Sequence, residues 1–162
     1  MGALPAGSTS LHGVIAGNRL VGLGESGHLY SSTDGKSWSA LTTISGAGTL
    51  NAGAYGNNRY VAVGDKGYIA ASSDSVAWLA GQVVVVGGSP INLHGVTWTG
   101  SMYVAVGDNG LITTSKDGSA WTTPAKSAVT GALRAVSASS GGEIVIVGDN
   151  GIETSEIGRA HV

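Results

Sequence analysis

The chain has 162 residues, of which 28 are glycine and only 11% are charged. Eight basic and ten acidic side chains give a formal net charge of −2, so no basic field is present to attract nucleic acid or anionic lipid. Cysteine is absent, which excludes disulfides, thiolate metal sites and cysteine nucleophiles. We therefore expect neither nucleic acid nor a membrane as a partner. The composition leaves the cellular compartment open.

A short glycine-containing motif recurs four times at a spacing of about 40 residues. Its copies are Val21-Gly-Leu-Gly-Glu-Ser-Gly27, Val61-Ala-Val-Gly-Asp-Lys-Gly67, Val104-Ala-Val-Gly-Asp-Asn-Gly110 and Val145-Ile-Val-Gly-Asp-Asn-Gly151. A leucine-led run precedes each copy, starting at Leu11, Leu50, Leu93 and Leu133. The repeat units are therefore placed at residues 11–49, 50–92, 93–132 and 133–155.

Each unit contains four short β-forming segments separated by turn residues. In the third unit these are Leu93–Thr99, Met102–Val106, Leu111–Ser115 and Trp121–Thr123. Repeats of this length with four antiparallel strands are typical of propeller blades, because a single small sheet cannot bury both faces alone. The sequence predicts an all-β protein: one β-propeller domain over residues 1–162, with about four four-stranded blades.

The segment between the third and fourth strands carries a second motif. Ser32-Thr-Asp34-Gly35-Lys-Ser-Trp38 and Ser115-Lys-Asp117-Gly118-Ser-Ala-Trp121 resemble the Asp-box of sialidase-type, BNR-repeat propellers; Ser72-Ser-Asp74-Ser75-Val-Ala-Trp78 matches less well. With the Val-Ala-Val-Gly-Asp-x-Gly motif, they look like repeats of uncharacterised bacterial and phage propellers and, more distantly, of photosystem II assembly-factor propellers. The resemblance implies structural roles, in which the aspartates accept turn N–H bonds and the tryptophans pack between blades.

Both ends of the chain depart from the repeat. Residues 156–162 resemble a translated sequencing-library adapter, which predicts a non-native tail and a metagenomic bacterial or phage source. Residues 1–10 align with the end of a fourth strand and its exit loop, and are predicted to supply a ring-closing strand. Two architectures stay open, a closed four-bladed monomer and a half-ring that pairs with a second copy into an eight-bladed ring. The larger rings usual in this family favour the homodimer.

Two histidines occupy equivalent positions at the start of the innermost strand, which borders the central channel of a propeller. His12 and His94 are candidates for binding a metal or a small ligand, and the alternative, which we favour, is a bond to a neighbouring backbone carbonyl. Asn51 and Arg134 hold this position in the other two units. One chain therefore cannot form a symmetric metal ring, and we predict no metal site.

Aromatic side chains are the other binding candidates. Trp98 and Tyr55 could present their rings to a sugar or a partner protein, whereas Tyr60 and Tyr103 are predicted to be core residues. The aspartates of the Gly-Asp-x-Gly turns are read as turn residues, because one carboxylate per turn is too few for calcium.

No catalytic constellation is apparent. Sialidase chemistry needs converging arginines, a tyrosine nucleophile and an acid, and the four arginines, Arg19, Arg59, Arg134 and Arg159, do not provide such a cluster. A Gly-x-Ser-x-Gly elbow is also absent. We expect a non-catalytic binding or interaction module without a cofactor, with a glycan as one candidate ligand. The alternatives are a structural propeller fragment without a ligand of its own and, less favoured, a sialidase-like glycoside hydrolase.

Overall fold

The computed structural model describes residues 4–127 and 130–156, which form short strands joined by turns. Within each sheet every strand pairs antiparallel with the next along the chain. No helix long and apolar enough to cross a lipid bilayer is found in the described residues.

Four successive sheets correspond to the four repeat units, and we call them blades one to four. Blade one contains β1 (Leu11–Ala16), β2 (Leu20–Gly24), β3 (His28–Ser32) and β4 (Ser39–Thr43). Blade two contains β5 (Leu50–Gly56), β6 (Arg59–Gly64), β7 (Tyr68–Ser72) and β8 (Leu79–Val83), followed by a hairpin of β9 (Val85–Val86) and β10 (Ser89–Pro90). Blade three contains β11 (Leu93–Trp98), β12 (Tyr103–Gly107), β13 (Leu111–Ser115) and β14 (Ala125–Lys126). Blade four contains β15 (Leu133–Ala138), β16 (Glu143–Gly148) and β17 (Gly151–Glu156).

The first strands of successive blades pack against one another, β1 on β5, β5 on β11 and β11 on β15. These strands approach closely, and a Cβ added to Gly53 on β5 would overlap the Ile15 side chain on β1. The blades are therefore stacked side by side with their first strands at the axis, as the repeat predicts.

Three apolar clusters fill the spaces between consecutive blades. Alternation along β12 shows how one strand serves two of them: Tyr103 and Ala105 belong to the cluster shared with blade two, and Val104 and Val106 to the cluster shared with blade four. Because side chains alternate across a strand, each inner blade buries apolar residues on both faces. This confirms the packing logic of the predicted all-β propeller.

The turn between the second and third strands is a single 3₁₀ turn in blades one to three. In blade three Asn109 has a φ of 60° and Gly110 a φ of 70°, the left-handed region that asparagine and glycine tolerate. The predicted tight turn at residues 107–110 is confirmed.

The fourth strand of blade three differs from the prediction. The repeat predicts this strand at Trp121–Thr123, and it lies at Ala125–Lys126. Pro124 has no N–H to donate to a ladder, and Thr122 is attached to β13 partly by its side chain, whose hydroxyl accepts from the Thr114 N–H at 3.0 Å. Regular pairing therefore resumes only after the proline.

The ends of the chain remain outside the regular sheets. Residues 4–10 contain no strand, and the Thr9 N–H donates to the Tyr30 hydroxyl of blade one at 3.0 Å. The ring-closing strand assigned to residues 1–10 stays a prediction, since residues 1–3 lie outside the described residues. Of the tail predicted at residues 156–162, only Glu156 is described, at the end of β17.

Tyr103 links blade three to blade two and provides a test of this packing. Its side chain is fully buried, and its hydroxyl lies 2.5 Å from the Gly56 carbonyl oxygen and 2.7 Å from that of Arg59. We expect Tyr103→Phe to lower the free energy of unfolding by about 1–2 kcal/mol, because two buried acceptors lose their donor. Urea denaturation measures this, with Tyr55→Phe as the control, since the Tyr55 hydroxyl has only a 3.4 Å contact with Asn58.

The same residue predicts sensitivity to alkali. Burial raises the pKa of Tyr103 from 10.0 to about 12. The unfolded chain therefore ionises this phenol before the folded chain does, so stability present below pH 10 is lost as pH rises towards 12. We expect the loss to be smaller in Tyr103→Phe. Equal alkaline sensitivity of the two proteins would contradict this assignment.

Candidate functional site

One end of the axial strands gathers polar side chains from all four blades. In each blade the leucine that opens the first strand pairs with the glycine that ends the second: Leu11 with Gly24, Leu50 with Gly64, Leu93 with Gly107 and Leu133 with Gly148. This register places the second residue of every first strand beside the acidic residue that opens the following turn. We call the resulting set of four pairs the channel mouth: His12 with Glu25, Asn51 with Asp65, His94 with Asp108, and Arg134 with Asp149.

A β-bulge sets the direction of the first member of each pair. The strand register shifts immediately after the leucine in all four blades, so His12, Asn51, His94 and Arg134 are each skipped by the regular pairing. Bulges bend a strand and redirect a side chain. The repeated bulge therefore turns four side chains towards the acidic turns.

The two histidines contact carboxylates at different distances. His94 Nε2 lies 2.7 Å from Asp108 Oδ1, a hydrogen bond, whereas His12 Nε2 lies 3.5 Å from Glu25 Oε1. The partners are side-chain carboxylates rather than the backbone carbonyls that the sequence favoured.

The other two pairs are hydrogen-bonded, like that of His94. Asn51 Nδ2 donates to Asp65 Oδ1 at 3.0 Å and to the Leu93 carbonyl oxygen of blade three at 2.9 Å. Arg134 donates from Nε and Nη2 to the two carboxylate oxygens of Asp149 at 2.8 and 2.9 Å. This bidentate contact lowers the pKa of Asp149 and raises that of Arg134. Asn51 thereby connects the channel mouth across two blades.

The sequence pattern predicts only turn roles for the acidic members of these pairs. The signal that could have paired them is the nearly constant separation between each first-strand residue and the acid that follows it. Across residues 4–127 and 130–156, no group of three or more His, Asp or Glu side chains is placed to hold a metal ion.

Trp98 and Tyr55 lie at the opposite ends of their strands from the channel mouth. The Trp98 ring lies 4.7 Å from the Tyr103 ring, and its indole covers Gly56, where an added Cβ would overlap it. The Tyr55 ring lies 4.6 Å from that of Tyr60. Both rings are half-buried in the clusters between blades, and their use as a ligand platform stays a prediction.

The Ser-x-Asp turns (residues 32–38, 72–78 and 115–121) share one hydrogen-bonding pattern. Asp34 Oδ1 accepts from the backbone N–H groups of Lys36 and Ser37 at 2.7 and 2.8 Å, and Ser32 Oγ donates to it at 3.0 Å. These bonds, the backbone ones first, lower the pKa of Asp34 to about 2. Asp74 and Asp117 accept equivalent bonds, and their pKa values are lowered by the same cause.

Each of these turns ends on a tryptophan whose indole N–H donates back into the turn. The acceptors of Trp38, Trp78 and Trp121 are the carbonyl oxygens of Gly35, Ser75 and Gly118. Ser75 replaces glycine yet has a φ of 68°, close to the 71° of Gly35, so the backbone of the weaker match has the same form. The rings of Trp78 and Trp121 each lie 6.4 Å from a buried tyrosine, Tyr60 and Tyr103 respectively.

No family model matches the chain, and no curated protein matches it. Solved structures do. The chain is similar to the computationally designed protein Ika4, with a TM-score of 0.71, 13% identity and 96% of each chain covered. It is similar to virginiamycin B lyase from Staphylococcus aureus, with a TM-score of 0.74, 14% identity, and 96% of this chain covering 58% of the lyase. The chain folds as a β-propeller.

A further neighbour is twice as long. The designed protein Ika8 has a TM-score of 0.69 and 12% identity, and 96% of this chain covers 48% of the Ika8 chain. The propeller described here thus spans about half the length of Ika8 and somewhat more of the lyase. At these identities the likeness concerns the fold alone.

The Ser-x-Asp turns predict an acid-sensitive component of stability. The folded-state pKa of Asp34 is about 2 against a reference of 3.8, so its contribution is present above pH 3.8 and lost as pH falls through 2. We expect the triple variant Asp34→Asn, Asp74→Asn, Asp117→Asn to lose less stability than the unmodified chain between these pH values. Urea midpoints measured across this range test it, with the exposed Glu143→Gln as the control. An unchanged acid response in the triple variant would contradict the assignment.

Proposed function

We propose that this propeller is a non-catalytic interaction module, that two copies join as half-rings into one eight-bladed ring, and that the channel mouth is its binding surface. The observation that carries this proposal is the unpartnered apolar face of blade four. Interaction modules of this kind bind through a surface that the scaffold holds rigid. Here three of the four channel-mouth pairs are hydrogen-bonded within their own blades, and His12 lies 3.5 Å from Glu25 in the fourth.

The free face of blade four is apolar where an inner blade would be covered. Val145 and Val147 are 40% and 37% exposed, whereas Val61 and Val63, which hold the same repeat positions in blade two, are fully buried against blade three. Blade four therefore keeps the apolar residues that the next blade covers in blade two, but no described blade covers them here. An exposed apolar sheet face of this kind marks an interaction surface.

Blade one is open on its opposite face. Val14 is 56% exposed, whereas Val96 at the equivalent position of blade three is 7% exposed and packs towards blade two. Among the described strands, β1 and β15 do not pack together as successive first strands do. The two open faces are the two sides of a missing junction, which supports a half-ring.

The segment before blade one supports a preceding blade. Ser8 N–H donates to the Pro5 carbonyl oxygen at 3.2 Å, and Ala47 N–H donates to the Ile44 carbonyl oxygen at 3.3 Å. The second turn belongs to the loop that leads from the fourth strand of blade one into blade two. Residues 5–8 therefore repeat the loop that joins one blade to the next, which we call the entry loop. In a ring of two copies related by a two-fold axis, blade four of each copy would be the blade that precedes blade one of the other.

The mass in solution tests the ring. We expect native mass spectrometry to give about 32 kDa, twice the 16.0 kDa of one chain. Val145→Glu with Val147→Glu should shift the mass to that of one chain, because two buried charges at each junction are unfavourable. The matched control is Val83→Glu with Val85→Glu, exposed valines on and beside the outer edge of blade two. A single-chain mass for the unmodified protein at all concentrations would overturn the proposal.

A glycan is the ligand class that we propose for the channel mouth. The imidazole, amide, guanidinium and carboxylate groups gathered there are hydrogen-bonding partners for sugar hydroxyls. Trp98 and Tyr55 are the second candidate surface, but their packing between blades leaves less of each ring available.

Glycan-array binding followed by titration tests this ligand class. We expect His94→Ala with Asp108→Ala to weaken binding at least about tenfold, the equivalent of about 1.4 kcal/mol. Glu143→Ala removes an exposed carboxylate at the start of β16, at the other end of blade four, and should leave binding unchanged. Absence of any glycan bound by the two-chain ring would reject the sugar ligand and favour a structural ring without one.

A further inference from the structure

We infer that the second copy docks head to tail, with blade four of one copy packed on blade one of the other and Ser137 opposite Val14. This inference rests on the proposed two-copy ring and adds the residues that meet at its junctions. It is argued from the three junctions that the chain already contains, because a repeat protein uses equivalent positions at equivalent interfaces.

The axial strands meet through one recurring pair of positions. At the first junction Ile15 of blade one lies against Gly53 of blade two. The same repeat positions hold Ala54 and Val96 at the second junction, where both side chains belong to one apolar cluster.

The series continues to the free ends of the chain. At the third junction these positions hold Thr97 and Val136, and the next pair in order is Ser137 of blade four and Val14 of a following blade one. Every pair sets one bulky branched side chain against a smaller partner, as close axial packing requires. Ser137 and Val14 are both exposed in the single chain. They follow the same rule, because Val14 is the bulky branched residue and Ser137 is its smaller partner.

The broader faces also match. Val145 and Val147 of blade four hold the positions of Val61 and Val63, which pack on blade three. Ile152 is the cross-strand partner of Val147, as Ile69 is of Val63. All three residues of blade four are exposed.

Blade one presents the complementary positions. Leu11, Leu20 and Gly22 stand where Leu93, Tyr103 and Ala105 receive blade two. The bulky tyrosine and the alanine are replaced by a leucine and a glycine, so the receiving face stays apolar. The three residues on the free face of blade four and the three on the free face of blade one are all apolar or glycine, and none is charged.

The entry loop fixes the direction of docking. Ile44 is buried in the cluster between blades one and two, and Pro5 holds its position in the equivalent turn. A blade that precedes blade one would place Pro5 between two blades, as Ile44 is. If blade one packed instead on blade one of the second copy, Pro5 would not lie between a blade and the blade that follows it. The head-to-tail arrangement is therefore favoured over the pairing of like blades.

Cysteine cross-linking tests the register, because the chain contains no cysteine of its own. Val14→Cys and Ser137→Cys are made as separate proteins, mixed, dissociated and reassociated, and oxidised mildly. We expect the mixture to give a disulfide-linked two-chain band on a non-reducing gel, and each protein alone to stay at one chain. Two controls bracket the result. Thr97→Cys with Val136→Cys in one chain should close an internal disulfide, and Val76→Cys, an exposed position on a turn of blade two, should not link to Ser137→Cys.

The outcomes separate the register from the ring itself. A single-chain native mass would overturn both proposals. A two-chain mass with the internal control disulfide formed, but no link between Val14→Cys and Ser137→Cys, would overturn the register and leave the two-copy assembly standing. Links within Val14→Cys alone would show that like blades meet, and would likewise overturn the head-to-tail arrangement.

Discussion

Burial of both faces of every sheet is the constraint on which this structure depends. A four-stranded blade has two apolar faces and no interior of its own, so its stability comes from the blade on either side. Blades two and three meet this requirement within the chain, as the complete burial of Val61, Val63, Tyr103 and Val106 shows. Blades one and four meet it on one side each. The proposed assembly follows from that imbalance, because a two-fold pairing gives both end blades a second neighbour.

Polar groups at the two ends of the strands reinforce the first two interblade junctions. At one end the hydroxyls of Tyr60 and Tyr103 donate hydrogen bonds to backbone carbonyl oxygens of the preceding blade. At the other, Asn51 bonds to the Leu93 carbonyl oxygen of the following blade. These bonds lie at the edges of apolar contacts, where they fix the rotation of one blade relative to the next. The Asn51 bond lies within the channel mouth.

The channel mouth illustrates how a repeat can hold a surface constant in geometry while its chemistry varies. The bulge and the acidic turn recur in all four blades, but the side chain on the bulge is histidine, asparagine or arginine. A closed ring of two copies would present eight such pairs around one opening. Ligand choice would then depend on the substituted positions rather than on the scaffold, which fits the general separation of fold from function in propellers.

Much of the fold could be predicted from the sequence because its signals are local and repeated. The periodic Val-x-Val-Gly motif, the glycine-rich turns and the aromatic positions determined an all-β chain of about four blades, and the turn at Asn109 and Gly110 followed from residue type alone. Only the tertiary structure decided the rest. The delay of the last strand of blade three past Pro124 depends on which backbone groups can pair, and the packing of Trp98 over Gly56 depends on the distance between two blades. The pairing of His94 with Asp108 depends on a bulge that has no signature in composition, and the open faces of blades one and four depend on how far four blades extend around an axis. The first and third of these are relations between adjacent strands of one blade, which depend on backbone hydrogen bonding that residue type alone does not specify. The second and fourth are relations between segments far apart along the chain, which a local pattern does not encode.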